Sequence, residues 1–198
     1  MATLAIFIDK LKFGNKGNDI TDNIPPAPPT IWADYTATNS ATIRIYGISE
    51  PETMVFLMRG DEKLLEVKAD KDGKLVFEDV MLKTGKNDFW SSAFDNAGNN
   101  SHQSRTVTVS FTDKGPDLTL EKPTEEQKYS GQDNPIEVKG KTAAGVKVYI
   151  NTRLTITDGN GNFVMKLSLN EGENILKIRA VDEALNETVK EIKVFYQP

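Results

Sequence analysis

The sequence predicts an all-β protein that consists of two tandem antiparallel β-sandwiches of about seven strands each. Apolar residues alternate with polar ones along many short runs, turn residues separate the runs, and the pattern of the first half returns in the second. A period of two indicates strands with one buried face, and several such strands between turns are typical of a sandwich. A chain of 198 residues is long enough for two domains of about 100 residues each.

The composition excludes several functional classes. The chain has no cysteine, so it can form neither a disulfide nor a thiolate metal site. Its 24 basic residues are outnumbered by 29 acidic ones, which argues against nucleic acid as a partner. Each domain must therefore be stabilised by its apolar core.

Residues 1–24 precede the first predicted domain. The run MATLAIFI at Met1–Ile8 is apolar, but it is far shorter than the roughly 20 residues of a membrane helix. It also lacks the basic start and the cleavage site of a signal peptide. Two interpretations remain open: a short flexible, strand or helical segment, or the last turns of a membrane anchor that begins further upstream. The prolines of Pro25–Pro29 then predict a stiff, extended spacer.

The two halves align segment by segment. The matching segments are Ile43–Gly47 with Ile136–Gly140, Asp70–Lys74 with Asp158–Asn162, and Gly85–Asn87 with Gly172–Asn174. Tight connections prefer aspartate, asparagine and glycine, so the middle pair predicts hairpin turns. The repeat predicts one domain at residues 25–113 and another at 116–198, joined by the short linker Lys114–Pro116.

Alternation locates the strands within each half. The alternating apolar residues are Leu65 and Val67; Val107, Val109 and Phe111; Val146, Val148 and Ile150; Phe163, Met165 and Leu167; Leu176, Ile178 and Ala180; and Ile192, Val194 and Tyr196. Each set predicts a strand with these side chains in a core.

A similar turn sequence, which we call the corner, follows the sixth predicted strand of each half. FDNAGNN contains Asp95 and Asn99, and VDEALNE contains Asp182 and Asn186. An aspartate at this place can accept hydrogen bonds from the backbone of the turn that follows. Glycine tolerates the left-handed region and leucine does not, so Leu185 in place of Gly98 predicts a different conformation for the second turn. We interpret these residues as structural.

The second half contains VKGKTAAGVKVYIN (Val138–Asn151), DGNGNF (Asp158–Phe163), EGEN (Glu171–Asn174) and AVDEALNET (Ala180–Thr188), and the first half keeps DKDGKL, TGKN and AFDNAGN. These segments resemble the tandem bacterial immunoglobulin-like domains of surface proteins and of accessory modules beside extracellular glycoside hydrolases. The resemblance implies a non-catalytic spacer or an adhesive, binding module, located extracytoplasmically on the cell surface or secreted. It leaves open a carbohydrate-binding accessory region of an extracellular polysaccharide-degrading system.

Few residues have the type and spacing that catalysis needs. His102 is the only histidine and lies in the polar segment NNSHQS, which is typical of a solvated side chain. We therefore expect no catalytic triad and no zinc site built from several histidines. We also expect no phosphate-binding glycine loop and no organic cofactor.

Two turns carry oxygen ligands at the spacing that begins a calcium loop: Asp70 with Asp72, and Asp158 with Asn160. Neither continues to the acidic residue that an EF-hand has at about position twelve. Ordinary turns are the favoured interpretation. Calcium binding, and with it a calcium-stabilised adhesin segment, stays an open alternative because oxygen ligands from neighbouring loops can converge on one ion.

Three large apolar residues fall on the outward side of the first domain when the halves are aligned: Phe56, Met58 and Trp90. The third and sixth strands of such a sandwich are neighbours, so the three side chains form one patch. Exposed aromatic patches usually mark an interface, here with a protein or a cell-wall polysaccharide. Membrane contact is expected only through an upstream anchor.

Two alternatives compete with a binding patch. The patch is covered within the molecule, by Leu4–Ile8, by the proline segment with Trp32 or by the neighbouring domain, or the register is shifted and Trp90 belongs to the core.

Overall fold

The computed structural model describes residues 22–198, and it is built from strands. The first half contains β1 Thr30–Trp32, β2 Ala37–Thr38, β3 Thr42–Ile48, β4 Met54–Arg59, β5 Glu62–Lys68, β6 Lys74–Met81, β7 Gly85–Phe94 and β8 Val107–Phe111. The second half contains β9 Leu118–Lys122, β10 Gln127–Ser130, β11 Ile136–Thr142, β12 Lys147–Ile150, β13 Arg153–Thr155, β14 Asn162–Leu167, β15 Gly172–Val181 and β16 Glu187–Gln197. A single 3₁₀ turn at Gly131–Asp133 is the one helical element in this range. The all-β prediction is confirmed; the predictions for residues 1–21 lie outside the described residues.

Each half is a pair of sheets. In the first half, the order β1-β3-β6 forms a three-stranded sheet and β2-β8-β7-β4-β5 a five-stranded one. In the second half, the sheets are β14-β11-β9 and β10-β16-β15-β12-β13. The same topology occurs twice, so the repeat in the sequence corresponds to a repeat in the fold.

Each half has eight strands rather than about seven, and one pairing in each half is parallel rather than antiparallel. β2 runs parallel to β8, and β10 runs parallel to β16. The first strand of each sandwich breaks, and the chain crosses to the opposite sheet, where it lies beside the last strand. The other strand pairings are antiparallel as predicted, and these two run parallel because the crossing segment keeps its direction.

Each sandwich has its own core. The first is centred on Ile45, Leu57, Phe77, Phe89 and Val109, and the second on Val138, Ile150, Phe163, Leu176 and Ile178. Burying one such side chain contributes about 1.5–3 kcal/mol. The chain has no cysteine, so these cores stabilise the two sandwiches without disulfides.

The two turns predicted to be hairpins connect different sheets. Asp70–Gly73 leads from β5, at the edge of the five-stranded sheet, to β6 in the three-stranded sheet. The turn at 158–161 joins β13 to β14 in the same way. These residues do form turns, but the hairpin prediction is wrong: the chain changes sheets here because the next strand buries its apolar face from the other side of the core.

Residues 22–198 contain no helix with the length and apolar character of a membrane span.

Candidate functional site

The three predicted patch residues lie together on the outer face of the five-stranded sheet. β4 and β7 are hydrogen-bonded neighbours, and Met58 stands directly opposite Trp90. On the other side of the same strands, Leu57 and Phe89 are fully buried, whereas Phe56, Met58 and Trp90 are half-buried. The structure thus has the register in which Trp90 points away from the core.

Trp90 is anchored to the neighbouring hairpin. Its indole Nε1–H donates a hydrogen bond to the carbonyl oxygen of Gly60 at 2.9 Å. Gly60 lies in the tight connection between β4 and β5, so the indole lies across the end of that hairpin. The only polar atom of this side chain is therefore satisfied within the domain.

Phe56 contacts two residues that the sequence analysis did not include. Its ring meets Phe94 at 4.8 Å between centroids and an angle of 62°, and Lys63 Nζ lies 3.8 Å above the Phe56 ring. Phe94 lies on the same side of β7 as Trp90, two alternation steps further along the strand, so continuing the alternation to the end of the strand predicts its place beside Trp90. We call the surface formed by Phe56, Met58, Trp90 and Phe94 the aromatic face.

Trp32 does not cover the aromatic face. It lies in β1, which belongs to the other sheet, and stacks against Tyr46 at 6.0 Å between centroids with an angle of 21°. The alternative cover, Leu4–Ile8, lies outside the described residues.

Of the four residues proposed as calcium ligands, Asp70 and Asp158 accept hydrogen bonds within their own turns, and Asp72 and Asn160 contribute backbone N–H groups to these bonds. Asp70 Oδ1 accepts hydrogen bonds from the backbone N–H of Asp72 and Lys74, both at 2.8 Å. Asp158 Oδ1 accepts from the backbone N–H of Asn160 and Asn162, both at 2.9 Å. Donation from the Asn162 side chain, followed by these backbone bonds, lowers the pKa of the Asp158 carboxyl.

The geometry of both turns is that of aspartate-capped turns. Within residues 22–198, no three histidine or acidic side chains converge on one point.

The first corner is a closed side-chain and backbone network. Asp95 Oδ1 accepts hydrogen bonds from the backbone N–H of Ala97 and Asn99, both at 2.9 Å, and Asp95 Oδ2 accepts one from Asn99 Nδ2 at 2.8 Å. The Asn99 amide is the main reason that the pKa of the Asp95 carboxyl is lowered. Gly98 takes a φ of 89°.

The second corner has the same conformation. Asp182 Oδ1 accepts from the backbone N–H of Asn186 at 2.8 Å, and Asp182 Oδ2 accepts from Asn186 Nδ2 at 3.1 Å. Leu185 takes a φ of 66°. The prediction of a different turn is therefore wrong: the Asp–Asn network holds Leu185 in a left-handed conformation that costs a non-glycine residue about 1–2 kcal/mol.

His102 has an exposed side chain. The segment is held to β7 by its serines: the Ser101 hydroxyl accepts a hydrogen bond from the backbone N–H of Ala93 at 2.8 Å and donates one to the carbonyl oxygen of His102 at 2.8 Å.

Among solved structures, the fibronectin(III)-like modules of CbhA from Clostridium thermocellum align with 88% of this chain and 92% of their own, at a TM-score of 0.50 and 14% identity. The fold is that of tandem immunoglobulin-like modules. This confirms, at the level of the fold, the resemblance seen in the sequence. Murine CEACAM1b aligns with 85% of the chain and all of its own at a TM-score of 0.46 and 11% identity.

Among curated proteins, Bacillopeptidase F of Bacillus subtilis is 29% identical over 163 residues. The match covers 79% of this chain but only 11% of Bacillopeptidase F, so the chain spans about a tenth of the length of that relative. No family model matches the chain.

Proposed function

We propose that this chain is a non-catalytic pair of immunoglobulin-like modules that acts as a spacer in an exported or cell-surface protein. The observation that carries the proposal is the presence of two complete apolar cores, one in each sandwich, on either side of a connector that begins after Phe111 and ends before Leu118. A unit whose core is complete needs no partner to fold, and a short connector limits how far the two units can separate.

The match to Bacillopeptidase F supports a place within a larger protein. That relative is a peptidase by name, and the matched stretch is a small part of it. A spacer that separates a functional region from the rest of a long chain fits such a match.

A second candidate function, protein binding, is favoured by the aromatic face. Aromatic side chains carry much of the energy at protein interfaces. Beside the aromatic face, Lys63 and Glu66 form an ion pair with 2.5 Å between Nζ and Oε2, which supplies a charged rim. A polysaccharide is a weaker candidate, because stacking on sugars needs a flat ring surface, whereas Phe56 is capped by Lys63 and meets Phe94 edge-on.

The experiment is a binding measurement with the complete chain on whole cells, cell-wall polysaccharide and a panel of extracellular proteins, beside a Trp90→Ala variant of equal foldedness. A spacer gives no saturable binding, and the variant behaves like the wild type. Saturable binding that Trp90→Ala abolishes would replace the spacer with the binding module. A Trp32→Ala variant is the matched control, because Trp32 lies on the opposite sheet.

A further inference from the structure

The corner asparagines reach beyond their own turns. Asn186 Nδ2 donates to the carbonyl oxygen of Thr112 at 2.8 Å, and Thr112 is the first residue after the last strand of the first sandwich. Asn99 Nδ2 donates to the carbonyl oxygen of Asp22 at 3.0 Å. In both halves, the corner therefore holds the backbone of the segment that leads into its sandwich.

Each held segment precedes the first strand of its sandwich. Asp22 stands eight residues before Thr30, where β1 begins, and Thr112 stands six residues before Leu118, where β9 begins. The side chains at the held positions differ, an aspartate and a threonine, and only main-chain oxygens are bound. Recognition of a main-chain oxygen does not depend on the linker sequence.

The chemistry of the amide explains why the residue is asparagine. An asparagine amide has two N–H groups. In Asn186, one is directed to Asp182 Oδ2 at 3.1 Å and the other to Thr112 O at 2.8 Å. In Asn99, one is directed to Asp95 Oδ2 and the other to the incoming segment, at 3.0 Å from Asp22 O and 3.5 Å from Ile24 O. The aspartate fixes the amide and, being charged, strengthens its bond.

Other asparagines of the repeat do not do this. Asn174 Nδ2 donates to the carbonyl oxygens of Asn170 and Gly172, at 2.7 and 3.2 Å, and Asn87 Nδ2 donates to those of Lys83 and Gly85. These amides close their own turns. Binding of an incoming segment is therefore particular to the corner asparagines.

The linker also packs tightly against the second sandwich. A Cβ at Gly115 would lie 2.5 Å from Thr188 Oγ1 and 2.6 Å from the carbonyl oxygen of Glu187, so only glycine allows this approach. Ala184, in the second corner, is 4% exposed, whereas Ala97 at the matching place in the first corner is exposed.

We propose that Asn99 and Asn186 are linker clamps: each side-chain amide binds a main-chain carbonyl of the segment that enters its sandwich, and Asn186 thereby fixes the spacing between the two modules. This inference deepens the proposed spacer function and rests on it. The clamp is a positioning device, and its ligand is a segment of this chain, residues 22–24 for the first corner and 112–115 for the second.

The test is ¹⁵N relaxation on the complete chain for the wild type, Asn186→Ala and Asn99→Ala. We expect the order parameters of residues 113–115 to fall from about 0.85 to below about 0.6 in Asn186→Ala, and to stay unchanged in Asn99→Ala. The order parameters of residues 22–24 should fall in Asn99→Ala and stay unchanged in Asn186→Ala. Each variant is thus the control for the other, and Asn174→Ala should leave both segments unchanged.

A second variant keeps the test decisive if Asn186→Ala weakens the whole second sandwich. Gly115→Ala leaves the corner residues unchanged, but the added Cβ clashes with the Glu187 carbonyl oxygen and displaces the linker. The order parameters should therefore fall at residues 113–115 alone. Unchanged order in the linker of both Asn186→Ala and Gly115→Ala would overturn the clamp. That result is distinct from failure of the spacer function, which would show as saturable binding that depends on Trp90.

Discussion

Leu185 takes the left-handed backbone conformation at the position where the first corner has Gly98, with φ values of 66° and 89°. The two corners otherwise share their Asp–Asn network. The side chain of Leu185 is 73% exposed, so its burial contributes little free energy to offset the cost of the left-handed conformation.

Leu185→Gly should therefore stabilise the second sandwich. The left-handed conformation costs leucine about 1–2 kcal/mol, and the greater entropy of unfolded glycine offsets part of that gain, so we expect a net increase of about 0.5–1 kcal/mol. Urea unfolding followed by circular dichroism measures the change. Gly98→Ala is the mirrored control and should destabilise the first sandwich; a loss of stability in Leu185→Gly would show that the turn is not strained.

The two faces of β7 should respond differently to truncation. Phe89 is fully buried, so Phe89→Ala should cost about 3–5 kcal/mol. Trp90 is half-buried, and Trp90→Ala should cost roughly 1–2 kcal/mol. Urea midpoints of the two variants provide the comparison, and equal costs would place Trp90 in the core.

Acid should destabilise both sandwiches through their turn aspartates. The pKa of Asp95 and of Asp158 lies below the ordinary value of 3.8 in the folded chain. A lowered folded pKa means that the stabilisation is fully present above about pH 4 and is lost as the pH falls through the folded pKa.

The measurement is Tm as a function of pH for the wild type and for Asp95→Asn with Asp158→Asn. The double variant should show a shallower fall of Tm below about pH 4. Asp72→Asn, at an exposed position, serves as control. A double variant with the same acid profile as the wild type would exclude these carboxylates as the cause.

Calcium should have no effect on stability. Oδ1 of Asp70 and Oδ1 of Asp158 each accept two backbone hydrogen bonds, so a cation that binds these oxygens would compete with the bonds that form the turns. We expect the same Tm with calcium and with EDTA, and Asp158→Ala should lower Tm equally in both. A calcium-dependent rise of Tm that Asp158→Ala removes would support the calcium hypothesis instead.

Local patterns in the sequence predict most of this fold. Val55, Leu57 and Phe89 take core positions because their alternation is long and regular, and the same alternation places Trp90 outside. β2 is too short, at Ala37–Thr38, to show any period, and so its parallel pairing is invisible in the sequence.

The rest of the site depends on contacts between distant residues. The preference of leucine for a negative φ predicts a different turn at Leu185, but the hydrogen bonds between Asp182 and Asn186 hold it at a positive φ. The bond from Asn186 to Thr112 joins residues 74 positions apart, and nothing in either segment predicts it.

The central claim is that the chain is a spacer built from two separately folded modules, and single-molecule force unfolding of the complete chain tests it most directly. Strands extend over residues 30–111 in one sandwich and 118–197 in the other. We predict two separate unfolding events, each releasing roughly 25–30 nm of chain at about 3.6 Å per residue. A single event that releases both halves together would contradict the claim.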